Sequence, residues 1–157
     1  MATLKERVEA FLFEEAELAD QHAYPQWLAL WAEDCQYWIP CNDDDADPQT
    51  HVALVYEAYS GIEDRVRRLM TGYAHTQSPR TRTLRVVANV RATLRDDGLV
   101  EARSVFNITA FRRDIIETLA ARVVHHLRPE GENFRIVRKT VYLVNNDGYM
   151  SNITYLI

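Results

Sequence analysis

An α+β fold, with about three amino-terminal helices packed on a long curved antiparallel sheet, is what three features of this 157-residue sequence predict. Over roughly the first thirty positions apolar residues recur at helical spacing. From Thr83 onward they alternate with polar residues at a period of two. Each alternating run is closed by a turn-forming cluster, so the second half of the chain reads as a meander of four strands.

Leu4, Val8, Phe11, Leu12, Glu15, Leu18 and Ala19 follow the helical period, and Thr3 with Glu6 three positions on forms a capping-box pattern, which predicts a first helix from Thr3 to Asp20. A shorter second helix opens at Pro25, a residue suited to a first turn, and runs through Trp27, Leu28, Leu30 and Trp31. Tyr37-Trp38-Ile39-Pro40 reads as a short strand stopped by proline, Asn42 to Pro48 as a solvated acidic loop, and Val52 to Tyr59 as the next strand. After Gly61, the residues Ile62, Val66, Leu69 and Met70 give a third helix that Gly72 ends.

Leu84, Val86, Ala88, Val90, Ala92 and Leu94 then alternate with Thr83, Arg85, Val87, Asn89, Arg91, Thr93 and Arg95, a strand with one buried face. Asp96-Asp97-Gly98 is a hairpin turn, and the return strand places Val100, Ala102, Ser104, Phe106, Ile108 and Ala110 on one face. Arg112-Arg113-Asp114 leads into a third strand from Ile115 to about Arg128, and the turn Pro129 to Asn133 into a fourth from Phe134 to Val144, whose imperfect alternation suggests a bulge. Asn145 to Gly148 is the last turn before a largely apolar tail, Tyr149 to Ile157. Strands of this length span roughly 40 Å at about 3.3 Å per residue, well above the usual. A sheet so long, curling over three helices, is the cystatin-like or NTF2-like (nuclear-transport-factor-2-like) cone.

A single domain over residues 1–157 fits this length, and the composition is that of a soluble globular chain. The formal charge of −5 disfavours nucleic acid as a partner, and no apolar run approaches membrane-spanning length. With no signal-peptide pattern at its start, the chain is expected in the cytoplasm, where Cys35 and Cys41 are two thiols rather than a disulfide.

Phosphate loops, nucleophile elbows and zinc spacings are absent from the sequence. His125 and His126 are adjacent on a strand and point to opposite faces, so they cannot chelate one ion; His51 and His75 have no evident partner. Asp20 and His22, where helix one ends, are the candidate acid and base of a cone cavity. The alternative, which is preferred, has Asp20 accepting backbone or arginine hydrogen bonds in the helix-helix turn. Nine arginines lie between Arg65 and Arg103, against two lysines in the whole chain. Arginine suits bidentate contacts at interfaces, so Arg65, Arg68, Arg80, Arg82 and Arg85 are candidate subunit-interface residues, with the apolar tail and the Trp-rich amino-terminal region as further surface in need of cover. A solvated charged face is the other reading.

The order Glu63-Asp64-Arg65-Val66, Arg68-Leu69, Thr71-Gly72, Gln77-Ser78-Pro79, Arg80-Thr81-Arg82-Thr83 and Asn89-Val90 resembles the small (β) subunit of bacterial aromatic-ring-hydroxylating dioxygenases. The run Glu14 to Asp20, Trp27 to Trp31, Asp34-Cys35 and Tyr37-Trp38-Ile39-Pro40 is similar to the opening of those subunits, and Phe134 to Val141 with Leu143-Val144-Asn145 to their closing strand. Asp43-Asp44-Asp45, Asp47-Pro48-Gln49 and Leu54-Val55-Tyr56 look like the benzoate, toluate and anthranilate branch.

The resemblance implies an α3β3 hexamer with β–β trimer contacts, in which this chain carries no catalytic, cofactor-binding or metal-binding residue. The α partner would hold a 2Fe–2S Rieske cluster and a mononuclear Fe(II), and electrons would come from NADH through a reductase to make a cis-dihydrodiol from an aromatic acid and O2. The sequence agrees, since neither the paired Cys/His ligands of a Rieske centre nor two histidines with a carboxylate at ligand spacing are present. Two other classes stand beside this one. They are a stand-alone cone-fold dehydratase or isomerase acting through Asp20 and His22, and a small-ligand-binding module.

Overall fold

A computed structural model of the chain describes residues 1–41, 47, 53–72, 80–145 and 154–157. The acidic loop from Asn42 to Pro48 apart from Asp47, the residues His51 and His75, and most of the last turn and the first part of the tail fall outside the described residues. The elements run α1 (Leu4–Asp20), α2 (Tyr24–Leu28), β1 (Trp31–Pro40), β2 (Ala53–Ala58), α3 (Tyr59–Arg67) with a π-helical turn over Arg68–Gly72, β3 (Arg82–Leu94), β4 (Val100–Arg112), β5 (Ile115–Glu130) and β6 (Asn133–Leu143).

Helix α1 opens on the capping box: the Glu6 N–H donates to Thr3 Oγ1 at 3.2 Å and the Thr3 N–H to Glu6 Oε2 at 2.7 Å. It buries Val8, Phe11, Leu12, Glu15 and Ala19, one helical stripe. Its end is a Schellman motif with His22 in the left-handed position at φ 57°; the His22 N–H donates to Ala19 O and the Ala23 N–H to Leu18 O. Helix α2 stops at Leu28, short of the Trp31 expected for it, because the Leu30 carbonyl accepts from Ile136 N–H at 2.8 Å and draws the chain into β1. Helix α3 begins two residues before Gly61, where a Cβ would come within 3.0 Å of Glu57 Cβ.

The six strands form one sheet in the order β2-β1-β6-β5-β4-β3. The meander β3 to β6 is antiparallel as expected, but β1 lies parallel to β6, so the sheet is mixed. Inward residues of β4 are the predicted set, Val100 through Ala110 at alternate positions. Two bulges bend the meander. On β6, Val137 is an extra residue between the pairs His126↔Arg138 and Leu127↔Ile136. On β3, Asn89 and Val90 together face Ser104, with Asn89 at φ 56°.

The β3 bulge inverts half a strand. Above it Val90 is buried as expected, but below it Leu84 and Val86 face outward while Thr83, Arg85 and Val87 turn inward. Inside the curl, α1 packs Phe11 edge-on to Phe134 at 5.8 Å, and Arg7 ties the start of the helix to the carbonyls of Gly131 and Glu132 in the β5–β6 turn. Helices and sheet share one cluster of buried residues, which takes in Trp27, Trp31, Tyr37, Ile62, Phe106, Ile136, Leu156 and Ile157.

Candidate functional site

The cone interior holds a polar group that the helical stripe of α1 and the inward face of the sheet bring together. Glu15 sits on the buried face of α1, His125 on β5 and Lys139 on β6, where His125 and Lys139 are register partners. His125 Nε2–H donates to Glu15 Oε1 at 2.9 Å and Lys139 Nζ to Glu15 Oε2 at 2.7 Å. Burial alone would push the Glu15 carboxyl up; the Lys139 ammonium and His125 more than offset it and hold the group well below the usual carboxylate range. Burial lowers Lys139 from the ordinary lysine value, against the pull of Glu15.

A second, half-buried pair lies nearby. The Arg85 guanidinium binds Asp20 Oδ1, while Asp20 also accepts from the Arg85 N–H at 2.8 Å and from the Thr83 hydroxyl at 3.0 Å. The carboxyl-terminal end of the chain fills the rest of the cone. Tyr37 Oη donates to Ile157 O at 2.6 Å, Lys139 Nζ to the same oxygen at 3.0 Å, and Arg85 to Leu156 O. What remains is a cavity of about 20 Å³ beside Glu15, His125 and Ser104, room for about one water. Substrate sites run to several hundred Å³, roughly 300 or more.

The sequence-predicted residues separate accordingly. Asp20 takes the structural role, with Arg85 and Thr83 as its partners. His22 Nε2–H donates to Thr81 O at 3.0 Å, and partial burial, reinforced by Arg80 and Arg85, lowers its pKa from the ordinary histidine value. Their separate hydrogen bonds leave Asp20 and His22 without the shape of an acid–base pair. Arg85, expected on a docking face, is corrected to the interior, since the β3 bulge turns it inward and its side chain is 5% exposed. Arg65 forks onto Glu57 of β2 at 2.6 and 3.2 Å and is half-buried. Arg68, Arg80 and Arg82 are exposed, and Arg82 stacks 4.7 Å from the centre of the Phe111 ring.

The apolar surface expected to need cover is also reassigned. Trp27, Trp31 and Trp38 are buried within the chain's own fold, as are Leu156 and Ile157 of the tail. Exposed instead are Leu84 and Val86 on β3 and Ile116 on β5, at 65%, 59% and 66%. Ile116, Phe111 and Arg82 form one cross-strand row on the outer face; Thr118, Thr109 and Leu84 form the next, and Ala120, Asn107 and Val86 the third.

Glu15, His125 and Lys139 went unrecognised as a group in the sequence. Two signals were present: a glutamate inside the apolar stripe of a helix, and one of only two lysines on the inward parity of a strand next to Val141 and Leu143. Among the described residues no cluster of three or more metal-ligating side chains occurs.

Comparison with known proteins identifies what the chain is similar to. The family of the ring hydroxylating beta subunit matches residues 14–147. The chain is 35% identical over 144 residues to the anthranilate 1,2-dioxygenase small subunit of Acinetobacter baylyi, covering 88% of each chain. It is 32% identical over 146 residues to the 2-halobenzoate 1,2-dioxygenase small subunit of Burkholderia cepacia, covering 88% of this chain and 87% of that one. The crystal structure of the beta subunit of the benzoate 1,2-dioxygenase from Burkholderia mallei superposes with a TM-score of 0.82 at 27% identity, over 99% of both chains. With the family match over most of its length and these dioxygenase small subunits as relatives of matching length, the chain belongs to the ring hydroxylating beta subunit family.

Proposed function

We propose that this member of the family is the non-catalytic β subunit of a Rieske non-haem iron dioxygenase, supporting an α3β3 assembly that converts an aromatic acid, O2 and NADH-derived electrons to a cis-dihydrodiol. The Rieske cluster and the mononuclear iron belong to the α subunit in this reading. The named activities of the similar small subunits, on anthranilate and 2-halobenzoate, support an aromatic acid as the substrate of the assembly. A cytoplasmic location follows from the same reading.

The observation that carries the supporting role is the outer face of β3 to β5. There Leu84 and Val86 on β3 and Ile116 on β5 are exposed apolar side chains among Thr109, Thr118 and Asn107, beside Arg82 stacked on Phe111, a mixture of apolar groups and arginine that suits an interface. The stand-alone dehydratase or isomerase has no comparable observation in its favour, because the cone is filled and Asp20 is committed to Arg85.

The test is co-expression with an α subunit, for wild type and for Val86→Asp and Arg82→Glu. Wild type should copurify as a roughly equimolar, iron-containing complex. Both variants should fold, since each changes an exposed position and alters stability by about 1 kcal/mol or less, yet lose the partner. Full assembly by both variants would refute this face as the contact, and a colourless homo-oligomer from the wild type would refute the subunit role itself.

A further inference from the structure

The donors inside the cone grip the main chain of the tail rather than its side chains. Tyr37 Oη and Lys139 Nζ both point at Ile157 O, and Arg85 at Leu156 O. These donors stand on three strands of one sheet, β1, β6 and β3, and Tyr37 and Lys139 are register partners. Tyr37, Lys139 and His125 are 1%, 5% and 3% exposed. His125 lines the residual cavity, and its Nδ1 has no hydrogen-bond partner among the described residues.

What they hold is of a different kind. Residues 154–157 belong to no helix or strand; they are fixed by the Thr81–Thr154 hydroxyl pair at 2.8 Å and by the main-chain contacts, and the apolar side chains of Leu156 and Ile157 join the buried cluster that includes Leu12, Trp27 and Phe106. Apolar walls with a few rigidly placed donors are the layout of a small-molecule site. We propose that the cone interior is a binding site for a small apolar molecule bearing a carboxyl or carboxamide group, and that residues 154–157 occupy it as a tethered ligand.

The carbonyl of such a molecule takes the place of Ile157 O between Tyr37 and Lys139. Its apolar body takes the volume of the Leu156 and Ile157 side chains, which suits a substituted ring of benzamide or benzoate size. Glu15 and Asp20 already balance Lys139 and Arg85, so comparing the neutral probe with the anionic one tells whether the site takes a carboxamide or a carboxylate.

The experiment is calorimetric titration of benzamide and of benzoate into the full chain, with whatever partner copurifies. The same titrations go into the full-length variant carrying Leu156→Gly and Ile157→Gly, and into a chain stopped after Ile153. The unaltered chain should bind neither probe at about 1 mM, whereas each variant should bind at least one of them about tenfold more tightly than that. Adding Tyr37→Phe should weaken that binding by about tenfold through the lost donor. Should a variant need ligand to fold, recovery of structure on refolding with benzamide or benzoate is the supporting result, and failure of both probes to restore it counts against the site. Folded variants that bind neither probe, or whose binding ignores Tyr37→Phe, overturn the proposal, as does equal binding by the unaltered chain. This inference is independent of the subunit role: a chain that assembles normally but yields no probe binding sinks the site alone, and the reverse result sinks the docking face alone.

Discussion

Replacing Lys139 with methionine should destabilise the fold by about 3 kcal/mol, and the structure gives the reason for that size. Lys139 and Glu15 are both buried at a separation of 2.7 Å, and removing one partner of such a pair leaves a desolvated charge, at a cost of about 3–5 kcal/mol. The lower end applies because Glu15 keeps its bond to His125 and Ile157 O keeps its bond to Tyr37. Methionine matches the length of the lysine stem, so little of the loss comes from packing. Trp27, Trp31 and Trp38 are all buried, which makes tryptophan fluorescence a direct reporter of urea unfolding. With a denaturant slope of about 2 kcal/mol per molar, the midpoint should fall by about 1.5 M.

The companion double variant, Glu15→Gln with Lys139→Met, removes both charges and should recover most of the loss, because the pair's mutual attraction mainly offsets its own desolvation. A midpoint shift below about 0.5 M for the single variant would refute the reasoning, given the same slope. So would a double variant as unstable as the sum of the two singles, since coupled neighbours should not add.

Acid should weaken the fold through Glu15. Its folded pKa lies well below the unfolded value of 4.5, so the stabilisation is complete above that value and is lost as pH falls toward the folded pKa, where the unfolded chain binds the extra proton. Urea midpoints at pH 5 and pH 3 should show a slope of up to about 1.4 kcal/mol per pH unit that Glu15→Gln reduces. Thr3→Ala removes the capping box of α1 and should cost about 1 kcal/mol, a fall in melting temperature of about 2–4 °C by circular dichroism. Asn89→Ile places a β-branched residue at φ 56° and should cost about 1–2 kcal/mol in urea unfolding, whereas Asn89→Gly should be no less stable than wild type.

Much of the architecture is readable where the signal is local. The apolar stripe and capping box of α1, the alternation of β4 and the turn at Gly98, with φ 84°, each depend on residues only a few positions apart, and all appear in the fold. The β6 bulge is readable for the same reason, as a break in alternation. Relations that close over long separations behave differently. The alternation of β3 looks unbroken, because Leu84, Val86, Ala88 and Val90 keep the same parity in sequence. A single residue in the left-handed region, Asn89, nevertheless exchanges the two faces and carries Arg85 from the surface to the interior.

The amino-acid sequence by itself determined which stretches are helix and which are strand, the order of helices before a meander, and the family, because local periodicity and motif order are carried by neighbouring residues. The tertiary structure alone decided that Glu15 meets His125 and Lys139 across 110 and 124 positions, that β1 joins β6 in parallel, and that Leu156 and Ile157 lie inside the cone while Leu84 and Val86 lie outside it. Those outcomes depend on how the sheet curls and which strands become neighbours. Curl follows from single-residue bulges, and pairing is selected by the burial of the whole core rather than by any one segment.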